Sequence, residues 1–203
     1  MSSFAPQWFP DTPELASFKT PNLSLRLFGP EHLDFVQKTA AQWEVAQWLA
    51  QVPHPYPEDG ARTFLTSAED CFSSGQALRW VVSDRQTGAM LGFVGLDAKA
   101  GSDEPWHLGY WFAPEAWGRG VATEAAFHAL TFAFWYMEPP AIWTGFHVEN
   151  HASRRVLEKC GFEGWTESSI ETVHSGPTPS YETPLSRGSF DEFVFSGGCT
   201  MQP

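Results

Sequence analysis

The stretch "WFAPEAWGRGVATEAAFHALTFAFW", Trp111 to Trp135, contains the turn on which the fold depends. Pro114 ends a strand-like aromatic run, "HLGYWFA". The segment "WGRGVATEA", Trp117 to Ala125, then passes two glycines and an arginine into an alanine-rich helix expected from about Thr123 to Trp135. Ala126, Phe127, Leu130, Ala133 and Phe134 share the buried side of that helix. A helix N-terminus carries unpaired N–H groups and a partial positive charge, so it attracts anions. Gly118 and Gly120 permit backbone angles and close approaches that a side chain would block. Successive amides from Arg119 through Val121 and Ala122 to Thr123 can therefore point at one phosphate group, with Arg119 adding a mobile cation. Neither GxxxxGK[ST] nor GxGxxG is present. On these residues alone, an ordinary strand-to-helix turn with glycines for tightness is an equal alternative.

Outward from the turn, the spacing predicts strands and helices on both sides. Upstream, "NLSLRLF" alternates Leu23, Leu25 and Leu27 with polar positions, as a half-buried strand does. "PEHLDFVQKTAAQWEVAQWLAQ" carries helical spacing after Pro30 until "VPHPYP" stops it. A second helix is expected across "EDGARTFLTSAEDCF", and "RWVVSD" and "AMLGFVGLDA" form a hairpin through "RQTG". Downstream, "AIWTGFHV" reads as a strand. "NHASRRVLEKCGF" is a short helix with Asn150 as N-cap and Gly161–Phe162 as its stop. Strands are expected around "SSIETVHS" and "SYETPL". The class is α+β with a mixed sheet. Residues 1–21 read as an irregular lead-in, 22–195 as one domain, and 196–203 as a flexible tail.

With 203 residues, 42% of them hydrophobic, the chain is long enough for one domain with a substantial core. No apolar run approaches the roughly 20 residues of a membrane helix, and "MSSFAPQWFPDTPEL" lacks the pattern of a signal peptide. A cytoplasmic protein without membrane partners is expected. Cys71, Cys160 and Cys199 are odd in number and far apart, so reduced thiols are expected rather than disulfides or a CxxC metal site. The net charge of −12 argues against nucleic acid and favours cationic partners such as amines.

Together, "LGYWFAPEAWGRGVATEA" and "NHASRRVLEKCGF", about 30 residues later, resemble the GNAT acetyltransferase superfamily. Its pyrophosphate loop has the form R/Q-x-x-G-x-G/A, with Trp117, Gly120 and Ala122 in the defining places. The branch most similar is that of the ribosomal-protein N-terminal acetyltransferases, which "LAQVPHPYPEDGARTFL" also resembles. The resemblance implies a mostly antiparallel central sheet flanked by helices, with splayed strands forming an acetyl-CoA cleft. It implies that amides of Gly118, Arg119, Gly120, Val121, Ala122 and Thr123 hold the pyrophosphate. The backbone of Trp111, Phe112 and Ala113 would pair with the pantetheine arm, Asn150 would touch it from the other side, and Ser153 would lie near the thioester sulfur. No metal is implied. Two departures stand out: Trp117 replaces the usual Arg or Gln, and Leu157 replaces the tyrosine that protonates the leaving thiolate in many members.

The chemistry ranks the remaining candidates. An amine must be neutral to attack. At pH 7 a lysine amine costs about 4.6 kcal/mol to deprotonate and an α-amine about 1 kcal/mol, while a thiol leaving as thiolate costs about 2 kcal/mol. One hydrogen bond, from Ser153, is enough for the last of these, although a serine in a first helical turn can equally serve the backbone. Asn150 can cap through oxygen and still offer nitrogen. His107 occupies a position where relatives often carry glutamate, and imidazoles suit proton uptake at neutral pH, so it is the candidate base beside a purely structural role. Glu104 is a lesser candidate, and a water chain would serve an α-amine. An amide near Phe112 or Ala113 would stabilise the oxyanion.

Trp48, His54 and Tyr56, in or beside "VPHPYP", form a candidate acceptor wall or a plain connection. His147 and His151 have i, i+4 spacing, but without the glutamate of HExxH they make a weak metal site. The expected function is N-acetyl transfer from acetyl-CoA to a primary amine, first a protein or peptide N-terminus and second a small molecule. A non-catalytic acyl-CoA-binding regulatory module is the alternative. Oligomeric state is left open, a homodimer included.

Overall fold

The computed structural model describes residues 9–98 and 106–198. Among these residues eight strands form one sheet: β1 (Phe18–Lys19), β2 (Leu23–Leu27), β3 (Ala77–Asp84), β4 (Met90–Asp97), β5 (His107–Phe112), β6 (Ala141–His147), β7 (Thr166–Thr172) and β8 (Gly176–Ser186). Their order is β1-β2-β3-β4-β5-β6-β8-β7. Every neighbouring pair is antiparallel except β5 and β6, which run parallel and share a single register pair, His107↔Trp143. The expected α+β class with a mostly antiparallel sheet is what the chain forms.

Helices cover both faces. α1 (Leu33–Ala40), α2 (Trp43–Ala46) and α3 (Gly60–Ser73) precede the central strands. α4 (Val121–Phe132) and α5 (His151–Glu158) flank β6, and α6 (Arg187–Phe195) closes the described chain. Val36, Ala61, Leu65 and Ala68 pack on Phe28, Val81 and Phe93 in a smaller core under α1 and α3. The larger core joins Leu25, Trp80, Val94, Leu108 and Ile142 of the sheet to α4 and to Leu157 of α5. Ala125, Ala126 and Ala129 of α4 are completely buried, so the alanine-rich sequence lets the helix lie close against the sheet. Among the described residues no helix is long and apolar enough to cross a membrane.

Two elements differ from expectation. The single helix expected after Pro30 is broken at Ala41–Gln42, where Gln42 has extended ψ of 125°. Val36 and Val45 are both buried. Nine residues apart, they would lie on about opposite faces of one straight helix, and the break lets both face inward. The helix expected to run to Trp135 ends as α-helix at Phe132 and widens into a π turn, Ala133–Met137, leaving Trp135 and Tyr136 exposed. Two elements went unexpected. β1 lies in the lead-in, where the buried Ala16 accepts a hydrogen bond from Trp80 Nε1 at 2.7 Å. α6 is capped by Ser186, whose hydroxyl accepts from Ser189 N at 3.1 Å, and is anchored by the buried Phe190.

Candidate active site

β5 decides the geometry, because its two edges are used differently. Trp106 C=O accepts from Trp143 N at 2.8 Å, and Leu108 C=O accepts from Thr144 Oγ1 at 3.0 Å, so β6 is tied to β5 up to Leu108. Strand pairing between the two goes no further than His107↔Trp143. On the other edge, Ala113 N donates to Leu91 O at 2.9 Å. Backbone groups alternate edges along a strand, so Trp111 and Gly109 also turn toward β4, while Tyr110 and Phe112 turn toward the gap beside β6. Of the three residues expected to offer backbone to a cofactor arm, only Phe112 faces the gap. Tyr110, not among them, faces it too. Trp111 instead packs its side chain between Phe93 and Phe35, with ring centroids at 5.7 and 6.1 Å.

At the mouth of the gap the chain turns through Pro114–Ala116 into the glycine loop. Gly118 and Gly120 have φ of 72° and 79°, the left-handed region that favours glycine, while a Cβ at either would meet nothing within 4 Å. The requirement is thus for backbone conformation rather than for space. It leaves the amides of Gly118, Arg119, Gly120, Val121, Ala122 and Thr123 without an acceptor among the described residues, and the first bond of α4 is Glu124 N to Gly120 O at 3.0 Å. Six free donors converge at a helix N-terminus. Trp117 adds none: its Nε1 donates to Phe112 O at 2.8 Å, capping the last carbonyl of the gap edge. Arg119 reaches Glu115 O at 3.4 Å. This donor set fits an anionic pyrophosphate.

Glu124 escaped the sequence argument. Nearly buried in the first turn of α4, its carboxylate accepts from Thr20 Oγ1, from Asn22 N at 2.8 Å and from Asn22 Nδ2 at 3.0 Å. Burial pushes its pKa up, but the hydrogen bonds from Thr20 and Asn22 outweigh this and hold it below the ordinary glutamate value. The loop helix is thereby fastened to the start of β2.

Across the gap, Asn150 caps α5: its Oδ1 accepts from Ser153 N at 3.0 Å, leaving Nδ2 available. Ser153 Oγ lies 2.9 Å from Tyr110 Oη, which also contacts Ser153 O at 3.2 Å. Strand alternation places Tyr110 with Leu108 and Phe112 on the α4–α5 side. What the sequence did not signal is that its hydroxyl meets a serine 43 residues away. Leu157 is fully buried in the larger core.

On the opposite face, His107 sits at the apex where β5 and β6 still touch. Farther along β6, the His147 ring stands edge-on to Trp48 at 6.1 Å. Burial pulls the His147 pKa below the ordinary histidine value, with Glu149 pulling the other way. Trp43 lies between His54 at 5.1 Å and His174 at 5.4 Å. Nε2 of His147 and of His174 is buried without a partner among the described residues. Residues 47–59, which carry Trp48 and His54, are fastened to the β7–β8 tip by Val173 N donating to Ala50 O at 2.9 Å. Tyr56 is turned elsewhere, its ring occupying the space over Gly60 at the head of α3. His54–Pro55 is a cis peptide. His151 is exposed at the start of α5, apart from the Trp48 contact of His147. Among the described residues no group of three or more His, Cys, Asp or Glu is placed to hold a metal. Glu104 and Cys199 lie outside the described residues.

The chain is similar to known proteins in sequence and in shape. Residues 22–163 match the model of the acetyltransferase (GNAT) domain. A Bacillus subtilis (strain 168) protein named uncharacterized N-acetyltransferase YoaA is 28% identical over 92 residues, 45% of this chain and 52% of that protein. The chain spans about half the length of the curated relatives it matches. Spermidine N-acetyltransferase from Vibrio cholerae, solved with CoA and spermine, superposes with a TM-score of 0.69 at 20% identity, covering 84% of this chain and 99% of that one. Mycobacterium smegmatis RimJ, solved with CoA-disulfide, gives 0.71 at 19% identity, covering 86% and 89%.

Proposed function

The chain belongs to the acetyltransferase (GNAT) domain family, and from that premise we propose that it is an acetyl-CoA-dependent N-acetyltransferase acting on a primary amine in a ternary complex. One observation carries this: the unpaired amides of Gly118–Thr123 lie at the mouth of a gap between β5 and β6 whose far side offers Asn150 and Ser153. Pyrophosphate would sit on the amides, with Arg119 beside it. The pantetheine arm would follow the Tyr110–Phe112 edge and meet Asn150 Nδ2.

The transfer is direct. The amine nitrogen attacks the thioester carbonyl, the N–C bond forms, the C–S bond breaks, and sulfur keeps the electron pair. Phe112 N–H is the donor for the oxyanion, because the Ala113 amide is committed to Leu91. Ser153 donates its proton in a hydrogen bond to the departing sulfur, which needs only about 2 kcal/mol at pH 7. The amine proton passes to His107, on the face opposite Ser153, or through water to solvent. An α-amine needs only about 1 kcal/mol of deprotonation at pH 7, so a protein or peptide N-terminus suits the weak base better than lysine does. Trp48 and His54 face the acceptor, and the net charge of −12 draws a cationic one in.

The test is release of free CoA, followed with a thiol reagent, from acetyl-CoA offered with a peptide library and a panel of small amines. Turnover on some amine is expected. Tight acetyl-CoA binding with no turnover on any would favour a non-catalytic acyl-CoA-binding module, for which the buried Leu157 in place of tyrosine speaks. His107→Ala should remove the acid limb of the pH–rate profile, and a limb that persists exonerates it.

A further inference from the structure

The hydroxyl of Tyr110 has no part in the transfer as described, yet it ends against the one side chain assigned to the leaving group. We propose that Tyr110 is a positioning residue that turns the Ser153 hydroxyl into the cleft, so that the pair forms a donor chain, Tyr110 Oη–H to Ser153 Oγ–H to sulfur. The inference rests on the assignment of Ser153 to the departing thiolate.

The hydrogen-bond inventory leads there. Ser153 N is already bound to Asn150 Oδ1, so the backbone of the first turn does not need the serine hydroxyl. Tyr110 has one proton and two acceptors, Ser153 Oγ at 2.9 Å and Ser153 O at 3.2 Å. If the proton goes to the carbonyl, the tyrosine oxygen is free to accept from the serine hydroxyl, and in that bond the serine proton points away from the gap. If it goes to Oγ, the serine proton is released toward the gap. The 2.9 Å contact serves either direction of donation, and an anion forming on sulfur selects the second, because each donor in a chain polarises the next. Burial pushes the Tyr110 pKa well above the ordinary tyrosine value, while its bond to Ser153 acts the other way. The phenol therefore stays a donor throughout the working pH range. It also replaces, at one remove, the tyrosine that Leu157 excludes: the acid reaches sulfur through a serine.

The experiment uses the whole chain and CoA enriched in 13C at the carbon bonded to sulfur, so no acceptor is required. The carbon shift, followed against pH, reports the pKa of the bound thiol. A donor to the thiolate should depress it by about 1 unit from the ordinary thiol value of about 8.5. In Ser153→Ala the depression should vanish, in Tyr110→Phe about half of it should be lost, and the double variant should match Ser153→Ala alone. A fluorotyrosine placed at 110, a stronger donor, should depress the bound thiol further, a change that a folding defect does not produce. If Ser153→Ala abolishes the depression while Tyr110→Phe and fluorotyrosine leave it unchanged, Tyr110 only packs and the inference falls alone. If Ser153→Ala leaves it intact, or CoA does not bind, the serine assignment falls and the inference with it. An equal effect of Tyr110→Phe with and without Ser153 also overturns it.

Discussion

The two walls of the proposed cleft are built from different materials. On the donor wall, the glycine loop and the head of α5 present backbone: six amides fixed by two positive φ angles, and a cap fixed by one asparagine. On the acceptor wall, residues 43–56 and the β7–β8 tip present rings: Trp43 between two imidazoles, and Trp48 against His147. Backbone donors cannot be exchanged by substitution, and they suit a ligand that is the same in every reaction. Side chains on an irregular segment can be replaced one at a time, and they suit a ligand that differs between relatives. A perturbation of one wall should therefore leave binding at the other unchanged.

The largest effect expected is on the donor wall. Gly120→Asp forces a carboxylate into the amide cradle at φ of 79°, and should weaken acetyl-CoA binding by about 100-fold or more, each tenfold being about 1.4 kcal/mol. Calorimetry reads this directly, and unchanged affinity removes the loop from the cleft. Next is Ser153→Ala, which should lower kcat about 10- to 100-fold with KM for acetyl-CoA nearly constant, since it acts on a charge that exists only as the sulfur departs. A fall in affinity instead would make the serine part of the cradle.

Glu124 tests whether the donor wall depends on its anchor. Glu124→Gln replaces a buried carboxylate with three donors around it by an amide, and should cost about 1–2 kcal/mol of stability at pH 7. Because the folded-state pKa lies below the ordinary glutamate value, the carboxylate's contribution is complete above that value, about 4.3. It is lost as the pH falls through the folded pKa. The gap between wild-type and variant urea midpoints should thus be present at pH 7 and narrow in acid. A gap that widens on acidification would contradict the assignment.

The same contrast explains what the sequence disclosed. Glycines before a helix, an asparagine before another, and apolar alternation are local signals, and each led to the right element: the loop into α4, the cap of α5, the strands β2 to β6. Long-range side-chain partnerships leave no local signal. Tyr110 looked like one more strand aromatic until α5 placed Ser153 at 2.9 Å, and nothing near Glu124 in sequence marks it, because its partner Asn22 lies 102 positions earlier. Trp117 appeared to be a missing phosphate ligand, whereas its indole closes the carbonyl of Phe112. In α6 the signals are local too: the cap at Ser186 and the buried Phe190 stand four residues apart within one short segment.

The smallest effect expected is on the acceptor wall and is the sharper test of the contrast. Trp48→Ala removes the ring against which His147 stands at 6.1 Å. An amine acceptor that loses one aromatic face forfeits about 1 kcal/mol, or about a 5- to 10-fold rise in KM for that acceptor. The affinity for acetyl-CoA should not move, because among the described residues none of the donor-wall amides hydrogen-bonds this segment. Should acetyl-CoA affinity fall in parallel, the two walls are mechanically one body, and Trp48 would belong to the core that sets the gap. Should neither value change, the segment from Trp43 to Tyr56 is only a connection, and the acceptor must be sought nearer to His107.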